Sequence, residues 1–390
     1  MAAKKPTNLA RLAVLAGNAK RRSANVRELA RFAANSTCPL AAAGFATRVD
    51  FDHLLQGTDL AAPYGQSPFA FRRGNTFEEL LRKDGHAPLL GLLKDNLHYN
   101  IAGAQVANVR EGQPKNKAGL EARAKTTEQL VKTIVTGAKN APNLIDGAVL
   151  GRTIGGSVAY FEADAVAAQF GRPIHVGEVK SFPTVDGQAD PDKIGAAAVA
   201  QVSIYILLLR ELVEKVGGNP DLVSTQALLI TAKNTGLQPT LCVKPVGREV
   251  DRARRILDQV PDVESMVGDL PAKIPSFETV TVGIESARLD RLSEIADAIG
   301  TEYRPACLSS CGLSRFCRER AHASGDPARM GGQLLRLLPG IDSIDRVSKL
   351  VANIGVKPEE KPVAEQLQRA ATLRALLAPP PAAPARRVKA

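Results

Sequence analysis

Apolar residues crowd into two short runs, SVAYFEADAVAA from Ser157 and PIHVGEVKSF from Pro173, each bounded by turn-forming residues. Such runs predict β-strands, and Phe170-Gly171-Arg172-Pro173 between them predicts the turn of a hairpin. From Ile194 to Val216 the apolar spacing changes to a helical period. TQALLITAKNTGLQPTLCVKPV then predicts a second hairpin, and REVDRARRILDQV a basic amphipathic helix. Upstream, FRRGNTFEELL predicts a helix in which Gly74 breaks the preceding structure, Asn75 or Thr76 caps, and Glu78 falls in the first turn. TTEQLVKTIVTGAKN predicts a helix opened by a Thr-Thr-Glu capping signal, inside a mostly helical stretch ending near Gly156. This order of elements implies an α/β protein with a mixed sheet flanked by helices.

On a strand, side chains two apart share a face, so Glu178 and Lys180 point one way and Val179 the other. With Asp164 on the neighbouring strand and the same side, two carboxylates can hold a hard cation such as Mg2+ or Mn2+. Such a cation activates water and offsets phosphate charge, and Lys180 can orient that water or stabilise a developing anion. Glu162 shares parity with Asp164, so it faces the same cation or pairs with Lys180. Gln201 and Tyr205 lie at i and i+4 on one face of the following helix. His175 falls on the opposite strand face from Glu178 and reads as structural.

An acid, then Glu-x-Lys, then Gln-x-x-x-Tyr on the next helix resembles the PD-(D/E)xK nuclease superfamily, RecB-like branch. That family also carries an earlier helix with a metal-facing His or Glu, matched here by Glu78. The resemblance covers about residues 30–320. It implies a restriction-endonuclease-like fold, a Mg2+ or Mn2+ site of Glu78, Asp164 and Glu178, assistance by Lys180, and positioning by Gln201 and Tyr205. Its implied substrate is DNA, with single-stranded ends first, in repair, recombination or defence.

Five cysteines occur, and three are bunched at Cys307, Cys311 and Cys317. Their C-x3-C-x5-C spacing is too irregular for a zinc ribbon and needs a distant fourth ligand, for which Cys38 before Pro39 is the natural candidate. The set resembles the iron-sulfur staple of CRISPR-associated RecB-like exonucleases and of the AddB nuclease domain, which implies a structural [4Fe-4S] cluster on Cys38, Cys307, Cys311 and Cys317. A four-cysteine zinc site and disulfides stay open as alternatives. Cys242, in an apolar strand, reads as a core residue.

The 390-residue chain carries a formal net charge of +11, which favours a polyanionic partner. With 4% aromatics and no Trp, no extended base-stacking platform is evident. No apolar run spans a bilayer and MAAKKPTNLARLAVLAGNAKRR lacks an export signal's apolar core, so a reducing cytoplasm is expected. No phosphate-binding G-x-x-x-x-G-K-[ST] loop is present, so a helicase or other defence-system protein would be a separate chain. The expected organisation is a basic helical lead-in (1–29), the nuclease domain (30–322), a helical extension (323–375) and a disordered basic tail (376–390) with Arg386, Arg387 and Lys389. Within the extension, Leu338-Pro339-Gly340-Ile341 resembles a helix-hairpin-helix turn. Two other classes remain: a catalytically silent DNA-binding protein or partner platform of the same fold, and a zinc-stabilised nucleic-acid-binding module.

Overall fold

The computed structural model describes residues 8–22, 28–29, 31–32, 35–61, 68–114, 116–154, 157–185, 188–189, 196–234, 236–258, 274–304, 307–325 and 336–377. Its helices are α1 (Asn8–Ala16), α2 (Pro39–Thr47), α3 (Phe51–Leu54), α4 (Pro68–Leu97), α5 (Lys117–Val135), α6 (Ala196–Lys215), α7 (Gly247–Asp258), α8 (Glu285–Ile299), α9 (Cys307–Ser310), α10 (Ser314–Ser324), α11 (Ile344–Val351) and α12 (Lys361–Leu377). The strands are β1 (Val106–Asn108), β2 (Leu144–Ile154), β3 (Ser157–Ala167), β4 (His175–Val185), β5 (Gln188–Ala189), β6 (Gln226–Lys233) and β7 (Pro239–Pro245). The described residues thus form a mixed α/β fold.

One sheet runs in the order β1-β2-β3-β4-β6-β7, with β5 paired to β4. β2, β3 and β4 form an antiparallel meander. A parallel neighbour needs a long crossover; α6 supplies it, and β6 returns parallel to β4 before β7 turns back antiparallel. Both predicted hairpins are present, β3 with β4 and β6 with β7.

Helices cover both faces of the sheet. On one, Ile145, Phe161, Val176 and Leu229 pack with Val131 of α5, Val202 and Leu209 of α6, and Val250 of α7. Leu207 and Leu209 of α6 are both fully enclosed, which is why that helix is apolar nearly all round. On the other face, Phe77, Leu81, Leu89 and Leu93 of α4 cover Ala165, Ala167, Leu228 and Ile230. Burying Phe77 and Leu81 contributes roughly 1.5–3 kcal/mol each and fixes α4 across the sheet. A separate core joins Leu12 and Leu15 of α1, Leu40 and Ala43 of α2, Leu292 and Ile295 of α8, and Phe316 of α10.

Several expectations are corrected. Gly74 does not break a helix: α4 runs from Pro68 through it, and Glu78 lies well inside. Tertiary anchoring offsets glycine's poor helix propensity of about 1 kcal/mol, since Arg73 Nε donates to Ser181 O at 2.9 Å and Nη2 to Gly236 O at 2.9 Å. α5 begins nine residues before the Thr-Thr-Glu signal, capped by Asn116, whose Oδ1 accepts from Gly119 N at 3.0 Å. Thr127 is buried mid-helix, donating to Arg123 O at 2.9 Å and accepting from Val149 N at 3.0 Å. The stretch expected to stay helical up to Gly156 contains the eleven-residue β2. α1, within the segment read as a basic lead-in, packs into the same core as Cys38. α11 and α12 close a small core of their own around Leu338, Ile341, Leu350 and Val363. Arg252, Arg254 and Arg255 lie on the solvated face of α7. The tail residues Arg386, Arg387 and Lys389 lie outside the described residues.

Candidate functional site

The acidic site sits where the β3–β4 ladder opens. Main-chain pairing holds Ala165–Ala167 against His175–Gly177. One residue further, the Asp164 side chain takes over, its Oδ2 accepting from Val179 N at 2.8 Å. The layers change phase at the same place: Phe161 and Ala163 face α5 and α6, whereas Ala165 and Ala167 face α4. On β2 the matching step is Gly147, whose φ of +72° is a left-handed conformation that favours glycine.

Glu178 and Lys180 share a face as expected, with Lys180 Nζ paired to Glu178 Oε1. Glu178 is 2% exposed, and its Oε2 has no hydrogen-bond partner. Burial, then the charge of Asp164, pushes its carboxyl up to about 8 against the opposing pull of Lys180. Burial likewise raises Asp164, with Lys180, the Val179 N–H and Arg110 opposing. Glu78 adds a smaller repulsion to both. Its Oε2 accepts from Arg82 Nη2 at 2.9 Å. Tyr205, buried on α6, is raised well above the ordinary phenol by burial and by Glu178, Asp164 and Glu162. Gln201 is buried one turn earlier on α6. Five of the six predicted residues therefore share one electrostatic neighbourhood, and Gln201 lies on the adjoining helix turn.

Glu162 departs from expectation by pairing not with Lys180 but with Arg110 Nε at 2.6 Å and Arg123 Nη1 at 2.8 Å. His175 has a structural contact, its Nδ1 3.2 Å from the Tyr99 hydroxyl. Residues not anticipated complete the site. Asp146 of β2 is buried and accepts from Arg82 Nε at 2.9 Å, lies 2.9 Å from His86 Nε2, and pairs with Arg110 Nη1. Despite burial, Arg110, His86 and Arg82 hold its carboxyl below the usual range. His86 reaches it from a break in α4 where Asp84, Gly85 and His86 all have positive φ. The only advance signal for Asp146 was its acid in the apolar run LIDGAVL.

The four predicted cysteines line one cleft open to solvent, which Asn35, Arg22 and Arg31 also line. Cys38 precedes the first turn of α2, and its sulfur accepts from Glu302 N at 3.4 Å. Asn35 Nδ2 donates to Cys307 Sγ at 3.3 Å. Burial raises all four thiols, Cys311 to about 12, and their charges oppose one another. Cys242 stays on β7, packed against the main core.

The orphaned Glu178 Oε2 beside Asp164 suits a divalent cation, and four clustered thiols with N–H donors aimed at sulfur suit a cationic metal centre. Among the described residues, no three His, Cys, Asp or Glu groups are already drawn to metal-ligand spacing. Guanidinium and ammonium groups hold the acids instead.

No family model matches the chain, and no curated protein matches it at a significant level. A solved structure, "Crystal structure of SSO0001", is 14% identical over 45% of this chain and 84% of that one, with a TM-score of 0.20. No helix among the described residues is long and apolar enough to cross a membrane.

Proposed function

We propose that the chain is a Mg2+- or Mn2+-dependent deoxyribonuclease of the PD-(D/E)xK superfamily, RecB-like branch, with a restriction-endonuclease-like core. The observation that carries this reading is the buried, orphaned Glu178 Oε2 set between Asp164 and Lys180. A buried carboxylate oxygen with an unmade bond is costly, and a divalent cation is a group that would satisfy it. The antiparallel meander, crossover helix and parallel return strand agree with that core.

Asp164 and Glu178, with Glu78 at the rim, would hold the cation. It supplies Lewis-acid stabilisation of the phosphodiester and a more acidic attacking water. Val179 N–H fixes the rotamer of Asp164. Lys180, held against Glu178, is placed to orient that water and to meet charge developing on phosphate. Tyr205 and Gln201, both buried on α6, would position Lys180 or the DNA. Cys38, Cys307, Cys311 and Cys317 would hold a [4Fe-4S] cluster whose role is structural, joining α2 to α9 and α10.

Single-stranded DNA ends are the proposed substrate, with any helicase or defence-system partner on a separate chain. The test is incubation of end-labelled single- and double-stranded DNA and RNA with anaerobically purified protein and Mn2+ or Mg2+. A ladder growing from one end of single-stranded DNA is expected. A second reading, a silent DNA-binding protein of the same fold, draws on the hold of Arg110 on the acids; it predicts binding without cleavage. Iron with acid-labile sulfide would exclude the zinc module.

A further inference from the structure

Arg110, just beyond β1, sends one guanidinium to three carboxylates. Nη1 pairs with Asp146, Nε donates to Glu162 Oε1 at 2.6 Å, and Nη2 lies 3.3 Å from Asp164 Oδ1. The group is anchored mainly away from Asp164. Asp146 is backed by Arg82 and His86 at 2.9 Å each, and Glu162 by Arg123 at 2.8 Å. Gly147 lets the strand pass close by: a Cβ there would lie 2.6 Å from Arg110 Cγ and 2.7 Å from its Nε.

The acidic site therefore has two halves that share Asp164. One contains Glu178 with its orphaned oxygen; the other, bounded by Asp146 and Glu162, is filled by guanidinium. In two-metal phosphodiesterases the cations sit roughly 3.5–4 Å apart and clamp the attacking and leaving oxygens. Here Asp164 is the carboxylate that borders both halves. Charge points the same way. With every acid ionised, as when holding a cation, and His86 neutral, Glu78, Asp146, Glu162, Asp164 and Glu178 give five negative charges, and Arg82, Arg110, Arg123 and Lys180 four positive, a formal balance of −1. One divalent cation brings this to +1, matched to a phosphodiester; a second brings it to +3.

We propose that Arg110 stands in the place of a second divalent cation, so that the site takes one Mg2+ or Mn2+, on the Glu178 side. This rests on the nuclease reading above. Arg110 is a positioning residue that stays in place through turnover and fixes Asp164 from the side opposite the cation.

The test counts Mn2+ bound to the full chain without DNA, by electron paramagnetic resonance of free Mn2+, with folding checked by circular dichroism. Wild type is expected to bind one, Arg110→Gln two with an exchange-coupled spectrum, and Arg110→Lys, which keeps the charge, one. Should Arg110→Gln fail to fold, the Arg110→Gln/Asp146→Asn double variant removes both buried charges together and is expected to gain a second, weaker Mn2+. Two Mn2+ in wild type, or an unchanged count in the folded Gln variants, would overturn the inference alone. No Mn2+ in wild type would overturn both it and the nuclease reading.

Discussion

The carboxylate of Asp164 accepts the main-chain N–H of Val179 at 2.8 Å, the residue between Glu178 and Lys180. That bond replaces a rung of the sheet with a side chain, and brings the acid of β3 to the Glu-x-Lys of β4 just where the ladder ends. The result sets the half-buried Asp164 against the buried Glu178, and the charge of Asp164 adds to burial in raising Glu178's cost of ionisation. A site poised for a cation is destabilising without one, and this has a measurable consequence.

Glu178→Gln should stabilise the metal-free protein, by an amount that depends on pH. In the unfolded chain Glu178 ionises near the ordinary carboxylate value of 4.5, whereas the fold holds it up to about 8. Between those values the unfolded state releases a proton that the folded state keeps, so wild-type stability falls as pH rises. The glutamine oxygen still accepts from Lys180, and the repulsion with Asp164 is gone. Urea melts should show the two proteins alike near pH 4.5 and the variant ahead by about 1–3 kcal/mol at pH 8. A gap that stays constant with pH would contradict the burial argument.

Gly147→Ala should cost about 1–3 kcal/mol, because a left-handed residue acquires a Cβ. That Cβ would also collide with Arg110, so the loss should exceed that of Gly171→Ala, where φ is +72° with no atom within 4 Å. Thermal unfolding of the two variants side by side measures the difference.

Cys38→Ser should lose iron and acid-labile sulfide and loosen the core that ties α1 and α2 to α8 and α10. Limited proteolysis should then cut first in those elements, while α6, enclosed by the sheet, stays protected. Retention of iron at wild-type level would remove Cys38 from the ligand set.

The part of the site legible in the sequence is the part whose residues are close in the chain. Asp164, Glu178 and Lys180 lie on consecutive strands, and Gln201 and Tyr205 on the next helix, so parity and helical spacing were enough to bring them together. Arg110, Asp146, Arg82 and His86 were not legible, because their meeting depends on β1 pairing with β2 and on the break in α4. β2 itself was masked by Gly147, which shifts the apolar alternation by one step in the middle of LIDGAVLGRTI. Gly74 misled for a related reason: a residue with a strong local meaning was overruled by the contacts of its neighbour Arg73 with Ser181 and Gly236. The grouping of the cysteines was legible by count, since three close together with metal-ligand chemistry call for a fourth, and Cys38 lines the same cleft.

Whether Glu178 and Lys180 cleave DNA is decided by the initial rate at which iron-loaded wild type releases nucleotides from end-labelled single-stranded DNA with Mn2+, beside Glu178→Ala and Lys180→Ala. The account predicts steady release by wild type, a loss of about 10²–10³-fold in Lys180→Ala with Mn2+ still bound, and no measurable release by Glu178→Ala. Intact DNA after incubation with folded, Mn2+-bound wild type, or equal rates in all three proteins, would contradict it.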